Sequence, residues 1–203
     1  MFLRSNFFFY FEIFFKRSSL NVFKISAKTI SNVTPLNEFA GSSFLFLISF
    51  EDKSIGVYDI HSKSLLFKTE PNHSETIFDS QINYKNPNIL ATSSYDGSIK
   101  LWDLLTMKCI STIELSKEKN QKNIDKNSII YGISWSPIDE TRLVAATYAG
   151  KIILIDTLNS IAIKEIKVGG ASPIHRVEWN KELSQYIACG SKEGYLYIFL
   201  IYL

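Results

Sequence analysis

The chain has 203 residues, of which 46% are hydrophobic, and it carries 22 Lys and Arg residues against 20 Asp and Glu residues. This apolar content supports a sizeable core and excludes a disordered chain, and a net charge of +2 without a clustered basic face argues against nucleic acid as a partner. Two cysteines, Cys109 and Cys189, are too few for a disulfide framework and indicate reduced thiols in a cytoplasmic or otherwise intracellular protein. Abundant Tyr, Phe, Ile, Val and Thr indicate a soluble protein rich in β-strands.

The first segment, residues 1–25, is rich in Phe and stands apart from the rest. Its apolar run, residues 7–15, includes Glu12, and a membrane-spanning helix needs about 20 apolar residues, so no membrane span is expected. Lys16 and Arg17 follow at the point where a secretory signal would continue to small residues, which argues against such a signal. The segment is interpreted as an edge strand docked on the rest, or as a start that is not native sequence.

Four short apolar runs recur at nearly constant spacing along the remaining chain. They are residues 55–59 (IGVYD), 99–103 (IKLWD), 152–156 (IILID) and 196–200 (LYIFL). Their large anchor residues are 44, 53 and 44 positions apart and are Tyr58, Trp102, Ile155 and Phe199. The longer middle interval contains a polar segment without hydrophobic periodicity, residues 116–126 (SKEKNQKNIDK). Repetition at this period indicates a chain built from equivalent units.

Each unit contains further strand-like runs. Ile82, Trp135 and Trp179 end apolar stretches 20 positions before the last three anchors. Apolar runs of five to eight residues between turns predict strands, and each complete unit holds four of them in antiparallel order. Four strands in ~40–45 residues are the blade of a β-propeller. The expected fold is therefore all-β, a partial propeller of about three to four divergent blades.

The same spacing divides the repeat region, residues 26–203, into units. We expect a degenerate first blade at 26–70, the best-formed blade at 73–115, a polar insert at 116–127, a third blade at 128–168 and an incomplete last blade at 171–203. The final run ends at a third strand, and propellers usually close with four to eight blades. Because an open fan of blades would expose sheet edges, we expect a longer native product or a second chain that completes the propeller.

The second unit carries a family resemblance. His73 together with residues 88–103 (NILATSSYDGSIKLWD) resembles a nearly complete WD40 repeat. The resemblance implies a hydrogen-bonded tetrad of His73, Thr92, Asp96 and Trp102 inside the blade. The chemistry agrees, because a buried indole N–H needs an acceptor, a hydroxyl can accept it while donating to an imidazole, and a carboxylate can hold the second ring nitrogen.

The other units depart from this pattern. Asp52, Ala149 and Glu193 occupy the Asp position, the Trp is replaced in all three units, and Gly169 stands where the last unit would have its His. Those blades are expected to depend on apolar packing instead. A closer resemblance, to consecutive blades of one long, many-bladed member of the WD40 family, is carried by residues 73–79, 87–92 and 129–137.

No motif indicates catalysis. His61, His73 and His175 are scattered without partners at metal-ligand spacing, so no metal is expected, and His175 is interpreted as an ordinary strand residue. The chain has no Gly-rich phosphate loop and no nucleophile turn, so neither a cofactor nor a catalytic residue is expected. The Lys-rich insert is interpreted as a solvated loop, with a partner or phosphate contact as the alternative.

Three functional readings remain open. The favoured one is a non-enzymatic protein–protein interaction scaffold, because propellers present loop-lined faces. The second is a ligand-binding or catalytic propeller with a site at the central channel. Such a site needs charged residues on the first strands of several blades, and Gln81, Ser134 and Val177 on those strands form no such cluster. The third is a non-functional partial gene product.

The resemblance also implies where a partner binds. In WD40 propellers the residue before the tetrad Asp points out from one face, and the matching residues are Glu51, Tyr95, Tyr148 and Lys192. Glu75 and Thr76 are expected beside Tyr95. Tyrosines in this position suit an interface core, so a protein or peptide partner of mixed charge is expected on this face.

Overall fold

The computed structural model describes residues 30–36, 45–115, 126–168, 170 and 172–201. The whole N-terminal segment (residues 1–25), most of the polar insert and Gly169 lie outside the described residues, so the predictions made for them remain predictions.

The described part of the chain forms fifteen strands in four antiparallel sheets, with a short 3-10 turn at Lys126–Ser128. The first sheet consists of β1 (Ile30–Pro35), β2 (Leu45–Phe50), β3 (Ile55–Asp59) and β4 (Ser64–Lys68). The second consists of β5 (Ile77–Ile82), β6 (Ile89–Ser94), β7 (Ser98–Asp103) and β8 (Lys108–Glu114). The third consists of β9 (Ile130–Trp135), β10 (Arg142–Thr147), β11 (Lys151–Asp156) and β12 (Ile161–Lys167). The fourth consists of β13 (Ile174–Trp179), β14 (Tyr186–Ser191) and β15 (Leu196–Leu200).

Consecutive strands are hydrogen-bonded neighbours in every sheet. The first strands of the four sheets lie side by side, with β5 next to β1, β9 next to β5 and β13 next to β9. Each sheet is therefore a blade whose first strand faces a shared centre. The expected all-β, partial propeller fold is confirmed.

Apolar clusters fill the spaces between neighbouring blades. Each cluster contains one buried tryptophan: Trp102 between the first and second sheets, Trp135 between the second and third, and Trp179 between the third and fourth. The indole N–H of Trp135 also donates to the backbone carbonyl of Gln81 at 3.0 Å, which joins β9 to β5. Blade-to-blade packing thus combines apolar burial with a satisfied polar tip.

Every first strand contains one extra residue. The pairing register shifts at Ser31 in β1, Phe78 in β5, Tyr131 in β9 and His175 in β13. Such a β-bulge places two residues of one strand opposite one residue of its neighbour and redirects the bulged side chain. The four bulges lie at equivalent positions, so the four redirected side chains emerge at the same end of the blades.

The residue after the bulge connects the four first strands at the centre. Buried Asp79 accepts the backbone N–H of Ile133 at 3.1 Å and receives Arg176 Nη1 at 3.3 Å and Asn32 Nδ2 at 3.5 Å. One carboxylate therefore contacts β1, β9 and β13 from β5. Burial raises the pKa of Asp79, and the Arg176 guanidinium and the backbone donors oppose that rise.

This centre corrects one expectation from the sequence. The first strands were expected to hold no convergent charged residues, yet Asp79, Arg176 and Glu178 lie within ion-pair distance of one another there, as Asp79–Arg176 and Arg176–Glu178 pairs. Asp79 lies in the second blade and Arg176 in the fourth, so this ion pair spans the third blade. Of the residues expected to face the centre, Gln81 and Ser134 accept the backbone N–H of Trp135 and Trp179 on the neighbouring first strand, whereas Val177 lies in the apolar cluster between the third and fourth sheets.

Replacing Asp79 tests this centre. We expect Asp79→Ala to lower the free energy of unfolding by about 1–3 kcal/mol, because the buried N–H of Ile133 loses its acceptor. Glu178→Ala is the matched control, because the Glu178 carboxylate is 46% exposed and its ion pair is with Arg176, whose side chain is 60% exposed. We expect this change to lower the free energy of unfolding by less than about 1 kcal/mol. Urea unfolding of the two variants measures the difference, and equal losses would contradict the bridging role of Asp79.

Candidate functional site

The four residues implied as a tetrad are joined by consecutive hydrogen bonds in the second sheet. The indole N–H of Trp102 donates to Thr92 Oγ1 at 2.9 Å, and Thr92 Oγ1 lies 2.8 Å from His73 Nε2. His73 Nδ1 lies 2.9 Å from Asp96 Oδ2. Because the Thr92 hydroxyl accepts from the indole, its own hydrogen is directed at Nε2, and the imidazole then donates from Nδ1 to the carboxylate. His73, Thr92 and Trp102 are buried.

Asp96 also fixes the backbone on both sides of the tetrad. Its carboxylate accepts the backbone N–H of Ser98 at 2.9 Å and of Ser74 at 3.0 Å. Burial is the largest single effect on the pKa of Asp96 and raises it, but the hydrogen bonds from His73 and Ser98 outweigh burial and hold the pKa well below its ordinary value. The tetrad thus ties the loop before β5 to the turn between β6 and β7.

That tie positions three of the residues expected on the partner-binding face. The backbone N–H of Tyr95 donates to the carbonyl of Thr76 at 2.9 Å. Ser94 Oγ donates to the carbonyl of Glu75 at 3.2 Å. The structure therefore brings Tyr95, Thr76 and Glu75 together at one end of the second blade.

Five rings run across three blades at this same end. Phe78 lies 4.9 Å from Tyr131, and Tyr131 lies 4.8 Å from His175, measured between ring centroids. Tyr95 lies 6.0 Å from Phe78, and Tyr148 lies 6.3 Å from Tyr131. We call these five residues the aromatic row. Its Phe and Tyr members are half-buried and His175 is exposed, so the rings are supported from below and open to solvent.

Three members of the row were not predicted to lie on this surface. Phe78 and Tyr131 were not singled out, and His175 lies in a strand as expected but is also the bulge residue of that strand and packs on Tyr131. A usable signal was present: Phe78, Tyr131 and His175 are 53 and 44 positions apart, the same intervals that separate the later anchors.

A cavity of about 390 Å³ opens between the first and second blades beside the row. It is lined by the bulge residues of both blades, by the turn after β2 and by the loop before β5: Ser31, Glu51, Lys53, Glu75, Thr76, Ile77 and Phe78. Phe78 belongs to both the cavity wall and the aromatic row. Glu51, Glu75 and Thr76, which were expected on the binding face, therefore lie at the cavity, and Tyr95 and Tyr148 lie in the row.

Lys192 occupies the corresponding turn of the fourth blade. It is exposed, and its backbone N–H donates to the carbonyl of Pro173 at 2.9 Å, the same type of bond that Tyr95 makes to Thr76. Lys192 therefore lies at the same end of its blade as the aromatic row. We call the cavity, the row and Lys192 together the bulge face.

The rest of the described chain offers little reactive chemistry. Within the described ranges, no three His, Cys, Asp or Glu side chains are grouped so that they could hold a metal ion. Burial raises the pKa of Cys189 to about 11, so its thiol stays protonated. Across the described part, no helix has the length and apolar character needed to span a membrane.

Comparison with known proteins connects this geometry to a repeat family. The family "WD domain, G-beta repeat" matches residues 66–103, which include the hydrogen-bonded residues Thr92, Asp96 and Trp102. Residues 66–103 thus match one WD40 repeat. His73, the first residue of the hydrogen-bonded series, lies in the same matched range.

Several WD-repeat proteins are similar to parts of the chain. COMPASS component SWD3 of Saccharomyces cerevisiae is 33% identical over 79 residues, which are 39% of this chain and 25% of that protein. Cytoplasmic dynein 1 intermediate chain of Drosophila melanogaster is 26% identical over 113 residues, 55% of this chain and 15% of that protein. WD repeat-containing protein AAC3 of Dictyostelium discoideum is 33% identical over 96 residues, 47% of this chain and 17% of that protein. The matched part of the chain thus spans a quarter or less of the length of these relatives.

Trp102 should be the most costly side chain to remove from the second blade. We expect Trp102→Ala to lower the free energy of unfolding by about 3–5 kcal/mol, because it empties a buried site and leaves the Thr92 hydroxyl without its donor. Trp102→Phe keeps most of the apolar volume, so it should lower the free energy of unfolding clearly less than Trp102→Ala does. Thermal and urea unfolding of the three proteins provide the comparison, and a Trp102→Ala protein as stable as the parent would refute the role of the tetrad.

The lowered pKa of Asp96 gives the tetrad a pH dependence. A carboxyl with a depressed folded-state pKa stabilises the fold above its unfolded pKa of about 3.9 and loses that contribution as pH falls further. We therefore expect the stability advantage of the parent over Asp96→Asn to be full above about pH 5 and to shrink below about pH 4. Urea unfolding at several pH values measures this, and an advantage that stays constant over that range would contradict the assignment.

Proposed function

We propose that this chain is a non-enzymatic interaction module of the WD-repeat type, and that it binds an extended segment of a protein partner across the bulge face. The observation that carries the proposal is the aromatic row. Phe78, Tyr131 and His175 are bulge residues of three neighbouring blades, and their rings form a continuous series with 4.9 and 4.8 Å between centroids. A partner segment that crosses these three blades would contact one of these rings on each blade.

The row has the properties of a protein-binding surface. Tyr and Phe provide large, rigid contact area at low cost in conformational entropy, and they are enriched in the cores of interfaces. Burial and the nearby phenols of Tyr148 and Tyr95 raise the pKa of Tyr131, so its hydroxyl stays protonated and able to donate to a partner carbonyl. The bulges hold the rings of Phe78, Tyr131 and His175 on strands rather than on free loops, which reduces the entropy lost on binding.

A channel-centred ligand site is the alternative, and the charged cluster around Asp79 is the observation that bears on it. Asp79 is already bonded by Ile133 and Arg176 and by the adjacent N–H of Ser80. A carboxylate occupied in this way joins strands rather than receiving a ligand. The cluster therefore supports the interaction module, whose rigid centre it forms.

The relatives support a partner of the protein class. Two of them are a component of COMPASS and an intermediate chain of cytoplasmic dynein 1. We propose by analogy that this chain acts within an intracellular protein assembly. As a finer hypothesis, residues 73–79, 87–92 and 129–137 resemble blades of WD-repeat-containing protein seventeen, which would make this chain a relative of that protein.

Peptide selection tests the proposed function. The immobilised chain is used to select binders from a phage-displayed library of short random peptides, and the selected peptides are measured by fluorescence anisotropy. We expect Tyr95→Ala/Tyr148→Ala to weaken their binding by about tenfold or more, because the variant removes two rings of the aromatic row and tyrosines often carry a large part of the binding energy of an interface.

Leu105→Ser/Leu158→Ser is the matched control for that measurement. Leu105 and Leu158 are 70% and 78% exposed and lie in the turns between third and fourth strands, at the opposite end of the second and third blades. This variant should leave peptide binding unchanged. Binding that is lost in the control and kept in the tyrosine variant would place the binding surface at the opposite end and reject the proposal.

A further inference from the structure

The cavity between the first and second blades carries excess negative charge. Glu51 and Glu75 line it together with a single amine, that of Lys53. The neighbouring carboxylate of Asp52 is already neutralised by Lys68 at 2.6 Å. Among the described residues, neither Glu51 nor Glu75 takes part in an ion pair. Two carboxylates thus border a concave space with one positive charge to offset them.

The wall between these carboxylates and the aromatic row is an aromatic ring. Phe78 lines the cavity and also packs on Tyr95 and Tyr131. A guanidinium group combines a flat face that stacks on aromatic rings with N–H donors that match a carboxylate, whereas an ammonium group acts as a point charge. The ring and the two carboxylates are therefore complementary to arginine.

We propose that the cavity is a subsite for an arginine side chain of the partner, with lysine as a weaker substitute. This inference rests on the proposed function and names the chemistry of the bound segment. Acidic and apolar side chains of a partner fit this cavity poorly. An acidic side chain would meet Glu51 and Glu75, and an apolar side chain would take their carboxylates out of water without a donor. The mixed wall of Ser31, Thr76 and Ile77 accommodates the aliphatic stem of the side chain.

The geometry also sets the neighbours of that arginine in the partner. Phe78 lines the cavity and is also a member of the aromatic row, and the centroid of the next ring, that of Tyr131, lies 4.9 Å from the centroid of Phe78. An extended chain advances about 3.3 Å per residue. The partner segment should thus carry an apolar, aromatic or proline residue within about two positions of its arginine.

The test uses the peptides selected on the parent chain, each paired with a copy in which the basic residue is replaced by citrulline. Citrulline keeps the shape of arginine and removes its charge. We expect the parent chain to bind the arginine peptide about tenfold or more tightly than its citrulline partner, since charge-assisted hydrogen bonds are stronger than neutral ones. In Glu51→Gln/Glu75→Gln that preference should fall to about twofold or less.

Two matched variants complete the design. Glu114→Gln/Glu182→Gln removes the same charge from exposed positions outside the cavity, and it should retain the full preference for arginine. Tyr95→Ala/Tyr148→Ala should weaken the arginine and citrulline peptides equally, because it removes the row and leaves the cavity carboxylates. Melting curves confirm that each variant is folded before it is compared.

The outcomes separate the two proposals. Selected peptides that carry no recurring basic residue, yet lose affinity in the tyrosine variant, would overturn the arginine subsite and leave the proposed function standing. A preference for arginine that survives Glu51→Gln/Glu75→Gln would also overturn the subsite. Selection that yields no peptide sensitive to either the tyrosine or the glutamate variant would overturn both.

Discussion

The extra residue in each first strand is the constraint on which the rest of the structure depends. Side chains of a regular strand alternate between faces, so one inserted residue exchanges the directions of everything that follows it. In β5 the insertion sends Phe78 to the end of the blade and leaves Asp79 at the centre, where it contacts Ile133 and Arg176. A single local feature thus produces both the rigid centre and the aromatic surface.

Glycine at the equivalent position in β9 makes that centre possible. A Cβ added to Gly132 would lie 3.2 Å from the carbonyl oxygen of His175 and 3.4 Å from the Cα of Arg176. Because Gly132 has no side chain, β13 approaches β9 closely, and Arg176 reaches across the third blade to Asp79 in the second. The close approach of β13 also brings His175 onto Tyr131. The close approach of β13 to β9 therefore produces both the packing at the centre and the ring contact on the bulge face.

The sequence predicted the repeated strands of the blades, and it did not predict the bulges in the first strands. Anchors such as Trp135 and Trp179 recur with the period of the blade, and apolar periodicity is the strongest local signal of strand structure. The residues of the tetrad could be proposed because one repeat retains its polar pattern. The bulges could not be located from the alternation within one strand, because nothing in β9 marks Tyr131 as the inserted residue, and only the recurrence of Phe78, Tyr131 and His175 at the blade period pointed to them. The contact between Arg176 and Asp79 could not be predicted from the sequence either, because it joins two blades that are not adjacent.

The divergent blades show how the bulge face survives without a tetrad. In the third blade Ala149 replaces the Asp, and the turn is held instead by Thr147, whose hydroxyl bonds both the N–H and the carbonyl of Lys151 at 3.2 and 3.1 Å. Gly150 lies in the left-handed region with φ of 71°, and a Cβ there would lie 2.7 Å from the carbonyl of Ser172, so the turn packs directly on the chain that enters β13. Backbone contact between blades thus replaces the buried polar network. Loss of the tetrad in three of four blades is compatible with a continuous binding surface, because the position of the surface is set by the first strands and their bulges.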